Sequence, residues 1–385
     1  MGHHRARADR GDVPELRLRE TITLVLITLD ATPLLGPRTG IGRYVEHLLG
    51  ELPGAIARRQ VDAQVQATTW TARGARLADL PAGVVQVGPR VPARLLRECW
   101  RRTDFPSIER LIGGTDVFHG TNFVSPPTSR AREVLTIHDL TYVLHAQTVS
   151  SASLLYRELV PRALARGARV VTPTEVVAAA VRSHYSLAHD RVTAIPHGVD
   201  SLWFDAQPPG HPWLDLPPDY FVFVGSLDPR KNLPALLEAH ARLRAMDPGA
   251  PDLVLAGPAG REEALASRAG VHLTGWLDDA DLTTLVAGSR ALVLPSIDEG
   301  FGLPVLEALA TGRPVVVSDI AVLREVAGPH AITAAYDDPD ALADALRRAS
   351  TALDDDDARD SRRAWARQFT WSACADRTLD VYLAT

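Results

Sequence analysis

Cysteine is scarce in this chain of 385 residues. The two present, Cys99 and Cys374, lie far apart, so no disulfide framework is expected and a reducing cytosol is the simplest compartment. Long apolar runs are missing, and none approaches the ~20 residues of a membrane-spanning helix. Residues 1–20 are charged and lack a signal-peptide core, and they read as a loose leader, His3-His4 included. Excess positive charge is absent too. The net charge of −6 argues against nucleic acid as the main partner. There is no low-complexity segment and no short repeat. What remains is an ordinary globular composition, 46% hydrophobic and 23% charged, with length for about two or three domains.

Short apolar runs alternate with helical periodicity, the pattern of doubly wound α/β domains. The alternation occurs in two successive sets. In the first, strands are expected at 22–29, 116–120, 134–139, 169–172 and 192–195, with a helix at 175–184. Residues 207–219 are rich in proline and read as a linker. The second set has strands at 220–224, 252–256, 271–274, 291–294 and 314–318, and a helix at 233–245. A last amphipathic helix is expected at 369–382. The domains then run 21–206 and 220–366, with 367–385 as a terminal helical segment. Facing strand ends enclose a cleft, where a ligand is expected.

The densest signal is residues 298–309, from Asp298 to Leu309, directly behind the 291–294 strand. Pro304 suits a first helical turn, and Gly312 suits the position past the helix end. The loop between places the amides of Gly300, Phe301, Gly302 and Leu303 at a helix N-terminus, a natural anion site. Glu299 and Glu307 flank it. The loop is suited to hold a phosphate between two hydroxyl-reading acids; a plain helix start with surface glutamates is the alternative.

Thr39-Gly40-Ile41-Gly42-Arg43-Tyr44 reads as a second glycine loop, in which Gly40 and Gly42 admit a close ligand. Tyr44-Val45 does not provide the third glycine of a dinucleotide fingerprint. His119 and His138 end two strands, where chemistry in such sheets takes place. Arg230 and Lys231 sit at a strand-to-helix crossing, a place to neutralise a diphosphate.

Residues 94–102 form a basic amphipathic helix, with Leu95, Leu96, Cys99 and Trp100 in one stripe and Arg94, Arg97 and Arg101 in the other. A surface helix packing its tryptophan inward is the first reading, and an acceptor or membrane-surface contact the second. Asp279-Ala280-Asp281 matches an Asp-x-Asp metal pattern but suits a helix start better. Residues 354–357 read as a solvated acidic run.

Taken together, Glu299-Gly-Phe-Gly-Leu-Pro-Val-Leu-Glu307, with seven residues between the glutamates, resembles the signature of retaining glycosyltransferase family 4. The resemblance extends, in order, to Thr39–Tyr44, Thr136-Ile-His-Asp139, Ile195-Pro-His-Gly-Val-Asp200 and Phe223-Val-Gly-Ser-Leu-Asp-Pro-Arg-Lys-Asn232. It covers nearly the whole chain after the leader, and bacterial mannosyl- and related hexosyltransferases look most similar by eye. It implies a GT-B fold, two Rossmann-like domains with the last helix crossing back to the first.

The implied reaction moves a hexose, with retention, from a GDP- or UDP-sugar to an acceptor hydroxyl of a glycan, glycolipid or small molecule. No cofactor and no metal are implied. By matching position, Glu299 and His138 face the donor sugar, and Glu307 binds the ribose. The amides of residues 300–303 lie against sugar and phosphate, with Gly40 and Gly42 approaching from the other domain. Arg230 and Lys231 hold the diphosphate; many members carry a further arginine where Ser226 stands here. The family's usual route is front-face attack with the leaving phosphate taking the acceptor's proton, ahead of Glu299 as a covalent nucleophile. A nucleotide-sugar 2-epimerase and a non-catalytic nucleotide-sugar-binding protein are the alternatives. The expected location is the cytosol, or the inner membrane face through the helix at 94–102. Rich arginine and alanine suggest a high-GC bacterium, compatible with envelope glycans and natural products alike.

Overall fold

The computed structural model describes residues 24–384 except 37, 73–76, 78–79, 210–215, 227, 259–267 and 353. The leader, the start of the first expected strand and the middle of the proline-rich stretch lie outside the described residues.

Two parallel sheets carry the fold. The first holds β1 (Val25–Asp30), β2 (Ala63–Thr68), β3 (Val84–Val87), β4 (Val117–Gly120), β5 (Arg132–Thr136), β6 (Arg169–Thr172) and β7 (Val192–Ala194). Its order is β3-β2-β1-β4-β5-β6-β7. The second holds β8 (Tyr220–Val224), β9 (Asp252–Ala256), β10 (Val271–Gly275), β11 (Ala291–Leu294), β12 (Val315–Ser318) and β13 (Ala331–Ala334). Its order is β10-β9-β8-β11-β12-β13. In each sheet the order reverses beside the first strand, which opens a crevice at the strands' carboxyl ends. The central strands are apolar along their length because helices cover both faces; β11 and β12 are buried throughout. β2, β3 and β13 escape a search for apolar runs. β2 and β3 carry glutamines, and β3 and β13 are edge strands that are half-buried.

The helices that matter for the site are α1 (Gly40–Arg59), α2 (Ala93–Arg102), α3 (Glu175–Tyr185), α4 (Leu233–Met246), α5 (Asp279–Gly288), α6 (Leu303–Ala310), α7 (Asp356–Ala366) and α8 (Trp371–Leu383). Thr39 caps α1, its hydroxyl accepting from the Gly42 amide. Gly40 and Gly42 therefore sit in the first turn of a helix, and the expected glycine loop is corrected to a helix start. α6 begins as its sequence suggests. Gly302 takes φ 91° before it and Gly312 takes φ 83° after it, a left-handed region that suits glycine.

α2 keeps Leu96 and Trp100 buried, but Leu95 is 57% exposed, so the apolar stripe is narrower than its sequence suggests. Arg101 pairs with Glu98 and Glu158 rather than standing free. In the acidic run at 354–357, Asp355, Asp356 and Asp357 are exposed as expected and Asp354 is the exception. Asp354 accepts from Arg313, Arg359 and Arg362 and ties α7 to the start of β12, while Asp355 caps α7. Among the described residues no helix is long and apolar enough to cross a membrane.

α8 leaves the second domain and packs on α1. Trp371, Cys374, Leu379 and Tyr382 share a core with Leu48, Leu49 and Leu52, and Arg58 and Arg59 pair with Asp376 and Asp380 at its edge. The last helix thus crosses back to the first domain. Its first turn lies against Gly198, where a Cβ would stand 2.2 Å from the Trp371 nitrogen and 2.6 Å from the Thr370 carbonyl carbon. Backbone cannot yield as a side chain does. G198A is expected to cost about 1–3 kcal/mol, read as a lower thermal unfolding midpoint; an unchanged midpoint would show that α8 is not tightly seated.

Candidate active site

A cavity of about 480 Å³ lies between the two domains. From the second domain come the ends of β8 and β9 and the loop from β11 to α6. From the first come the start of α1 and the residues after β5.

The turn after β8 is built first. Asp228 accepts from the Arg230 amide at 2.9 Å and closes a short 3-10 turn over Pro229–Lys231. Asn232 follows at φ 56° and turns the chain into α4. Arg230 and Lys231, the only lysine in the sequence, are thereby presented to the loop after β11. The Ile297 amide donates to the Arg230 carbonyl at 2.9 Å and locks the two segments together.

Glu299 stands where they meet and is 5% exposed. Its Oε1 accepts from Lys231 Nζ at 2.5 Å and from Ser296 Oγ at 2.6 Å. Its Oε2 accepts from Arg230 Nη1 at 3.0 Å, and the same nitrogen donates to the Asp298 carbonyl. Burial alone pushes such a carboxyl up, but the charges of Lys231 and Arg230 with these hydrogen bonds bring it down to about 2. Expected cations and expected acid thus form one network.

Gly300 abuts the first domain. A Cβ there would lie 2.1 Å from the His138 carbonyl oxygen. The same seam carries Thr141 Oγ1, which donates to Asp298 at 2.7 Å, and Thr174 Oγ1, which donates to the Gly300 carbonyl at 3.3 Å. His138 lies two residues past β5 and lines the cavity. Its Nε2–H donates to the Thr121 carbonyl at 2.9 Å, which leaves Nδ1 as an acceptor. Burial lowers its pKa and keeps the ring neutral. His119 is corrected to a core residue. It bonds Tyr382 on α8 at 2.5 Å and Thr136 at 2.7 Å, and burial takes it down to about 3.

Phe301, Gly302 and Leu303 continue along the cavity wall to Glu307, which is also 5% exposed. Glu307 accepts from Arg43 Nη1 at 2.6 Å, across the cleft from α1. Burial pushes its carboxyl up, with Arg43 opposing. Gly40 lines the same wall, and its missing Cβ would stand 3.6 Å from Leu303. Gly42 does not reach the cavity. It packs under the α1 start, where a Cβ would stand 3.4 Å from the Pro33 carbonyl. Asp279 pairs with Arg43, and Asp278 caps α5 through the Asp281 amide. The Asp-x-Asp pattern therefore serves an ion pair and a helix start. Among the described residues no group of three or more His, Cys, Asp or Glu is placed to hold a metal.

The geometry singles out two cavity residues that had no role assigned from sequence. One is Arg43. The other is His197, 5% exposed, packed between Tyr44 and Phe301 at ring distances of 4.6 and 4.8 Å. Its Nδ1 is buried without a hydrogen-bond partner among the described residues. The surviving signal for both was their position inside a motif next to a residue of interest.

The family model described as "Glycosyltransferase Family 4" matches residues 38–201, and "Glycosyl transferases group 1" matches residues 218–351, one on each domain. The chain belongs to the group 1, family 4 glycosyltransferases. This glycosyltransferase is similar to the O-antigen chain mannosyltransferase B of Escherichia coli, 27% identical over 91% of this chain and 97% of that one. It is also similar to the D-inositol 3-phosphate glycosyltransferase of Jonesia denitrificans, 27% identical over 94% and 96%. Among solved structures, the sucrose-phosphate synthase of Thermosynechococcus elongatus aligns with a TM-score of 0.70 at 21% identity, over 93% of this chain and 98% of that one. Anabaena HepE in complex with UDP and glucose aligns with a TM-score of 0.65 at 16% identity, over 93% and 99%. These likenesses place the glycosyltransferase in the GT-B fold.

The seam at Gly300 has a direct test. G300A would force the loop after β11 from the His138 carbonyl, so turnover is expected to fall at least about tenfold with little change in unfolding midpoint, since the clash lies at the seam between the domains. Unchanged turnover would show that this contact is not needed in the working state.

Proposed function

We propose that this glycosyltransferase moves a hexose, mannose-type by preference, from a nucleoside diphosphate sugar to an acceptor hydroxyl with retention at the anomeric carbon. The single observation behind the reading is the buried carboxylate Glu299 held between Lys231 and Arg230 at the mouth of the α6 N-terminus. Cleaving the sugar–phosphate bond leaves positive charge on the ring and negative charge on the diphosphate. Two fixed cations and the amides of residues 300–303 leading into α6 suit the second, and a carboxylate beside them suits the first. In this reading these groups neutralise the leaving diphosphate without a metal ion.

Retention is assigned to front-face attack, with the leaving phosphate taking the acceptor's proton. Both oxygens of Glu299 are engaged by cations and Ser296, and a carboxyl held at about 2 is a weak base. That favours an electrostatic part for Glu299 over a covalent one. His138 and Glu299 then face the donor sugar, and Glu307 takes the ribose. Anabaena HepE was solved with UDP and glucose on the same fold, and a full-length relative is a mannosyltransferase; both support a nucleotide-linked hexose. Acceptor contacts fall to the first domain. Exposed Leu95 beside the arginines of α2 suits a membrane-surface contact, which pelleting with anionic but not neutral vesicles would detect.

Labelled GDP- and UDP-hexoses are expected to release nucleoside diphosphate on incubation with the protein; no binding and no release across common donors would refute the reading. Within it the two glutamates divide. E307A should raise donor KM about tenfold. E299A should lower kcat about a hundredfold while nucleoside diphosphate still binds, because Arg230 and Lys231 lose a competitor. Equal effects on KM and kcat from both would contradict the division.

A further inference from the structure

Arg43 belongs to the first domain and its partners to the second. Nη1 bonds Glu307 Oε1 at 2.6 Å on α6, and Nη2 pairs with Asp279 on α5. Asp200, held by His47 at 2.8 Å, adds a further carboxylate to the surroundings. Glu307 is buried, and no described residue other than Arg43 donates to its side chain. Among the described residues its Oε2 accepts no hydrogen bond, although Glu307 lines the cavity. A buried carboxylate with one oxygen clamped and the other free of protein donors is oriented, whereas without its clamp it loses both the charge that opposes its burial and the contact that aims it.

We propose that Arg43 is a positioning residue that completes the nucleotide-ribose subsite from the opposite domain, clamping Glu307 Oε1 so that Oε2 meets a ribose hydroxyl only when the cleft is closed. The proposal rests on the reading of Glu307 as the ribose ligand. Its new content is that half of this subsite lies on α1. Donor binding and closure are then linked. A ribonucleotide binds best to a carboxylate that exists in its oriented form only with the domains together, so the ribonucleotide favours that state. Arginine suits the place because its planar fork spans Glu307 and Asp279 at once, which a lysine ammonium on a flexible stem does not.

The test compares GDP and UDP with their 2′-deoxy forms, measured by calorimetry on the full chain. The wild type is expected to bind the ribonucleotide about tenfold more tightly than its deoxy form, as for a hydrogen bond to a charged group. R43A should bring that ratio below about threefold while the diphosphate still binds, and R43K should recover part of it. A ratio unchanged in R43A would overturn the proposal. Tighter ribonucleotide binding by R43A would overturn it too, since Arg43 would then be blocking Glu307 rather than aiming it.

A second measurement needs no nucleotide. Amides in the first turns of α1 and α6 should exchange hydrogen several-fold faster in R43A than in the wild type at the same unfolding midpoint. Equal exchange would overturn the interdomain link. If the wild type binds neither nucleotide, the nucleotide-sugar reading fails, and with it the ribose role of Arg43; faster exchange would then support the clamp alone.

Discussion

A carboxylate removed from water is tolerated only where its charge is met, and Glu299 is such a group. Lys231, Arg230 and Ser296 meet it from two separate segments of the chain. The consequence reaches beyond the carboxylate. The turn after β8 and the loop after β11 are fixed to one another, and the N-terminus of α6 is aimed into the cleft. Taking away one partner would leave an uncompensated buried charge, which costs more than the pair contributes. In the proposed function, the same pairing keeps two cations where a leaving diphosphate would need them.

Polar contacts join the two domains across the cleft. Thr141 reaches Asp298, Thr174 reaches the Gly300 carbonyl, and Arg43 reaches Glu307. Glu325 of the second domain accepts from the Glu175 and Val176 amides and so caps α3 of the first. Interfaces of this kind let domains move relative to one another. Apolar packing joins them too: α8 is part of the first domain's core although it follows the second in sequence, Val199 and Trp203 lie in the second domain's core, and Val322 lies in the first's. The domains are thus joined by apolar packing as well as by the hydrogen bonds and ion pairs across the cleft.

Much of this was legible in the sequence for a physical reason. Strands covered on both faces are unbroken apolar runs, so β6, β9 and β11 fall where their residues suggest. β2 and β13 did not announce themselves, because partly covered strands carry polar side chains. The loop between β11 and α6 was legible because its chemistry is local, with Glu299, the glycines and Pro304 within one short stretch. Roles set by distant partners were not. His119 resembles a site residue until Tyr382 is placed beside it, and Asp354 resembles a solvated acid until three arginines surround it. Arg43 had no visible partner at all, since Glu307 lies 264 residues away.

Where a nucleoside diphosphate sits decides the proposed function most directly. A crystal structure of the protein with GDP or UDP bound is expected to place the diphosphate against Lys231, Arg230 and the first amides of α6, with the ribose on Glu307. A diphosphate bound elsewhere, with Lys231 and Arg230 still engaged only by Glu299, would contradict it.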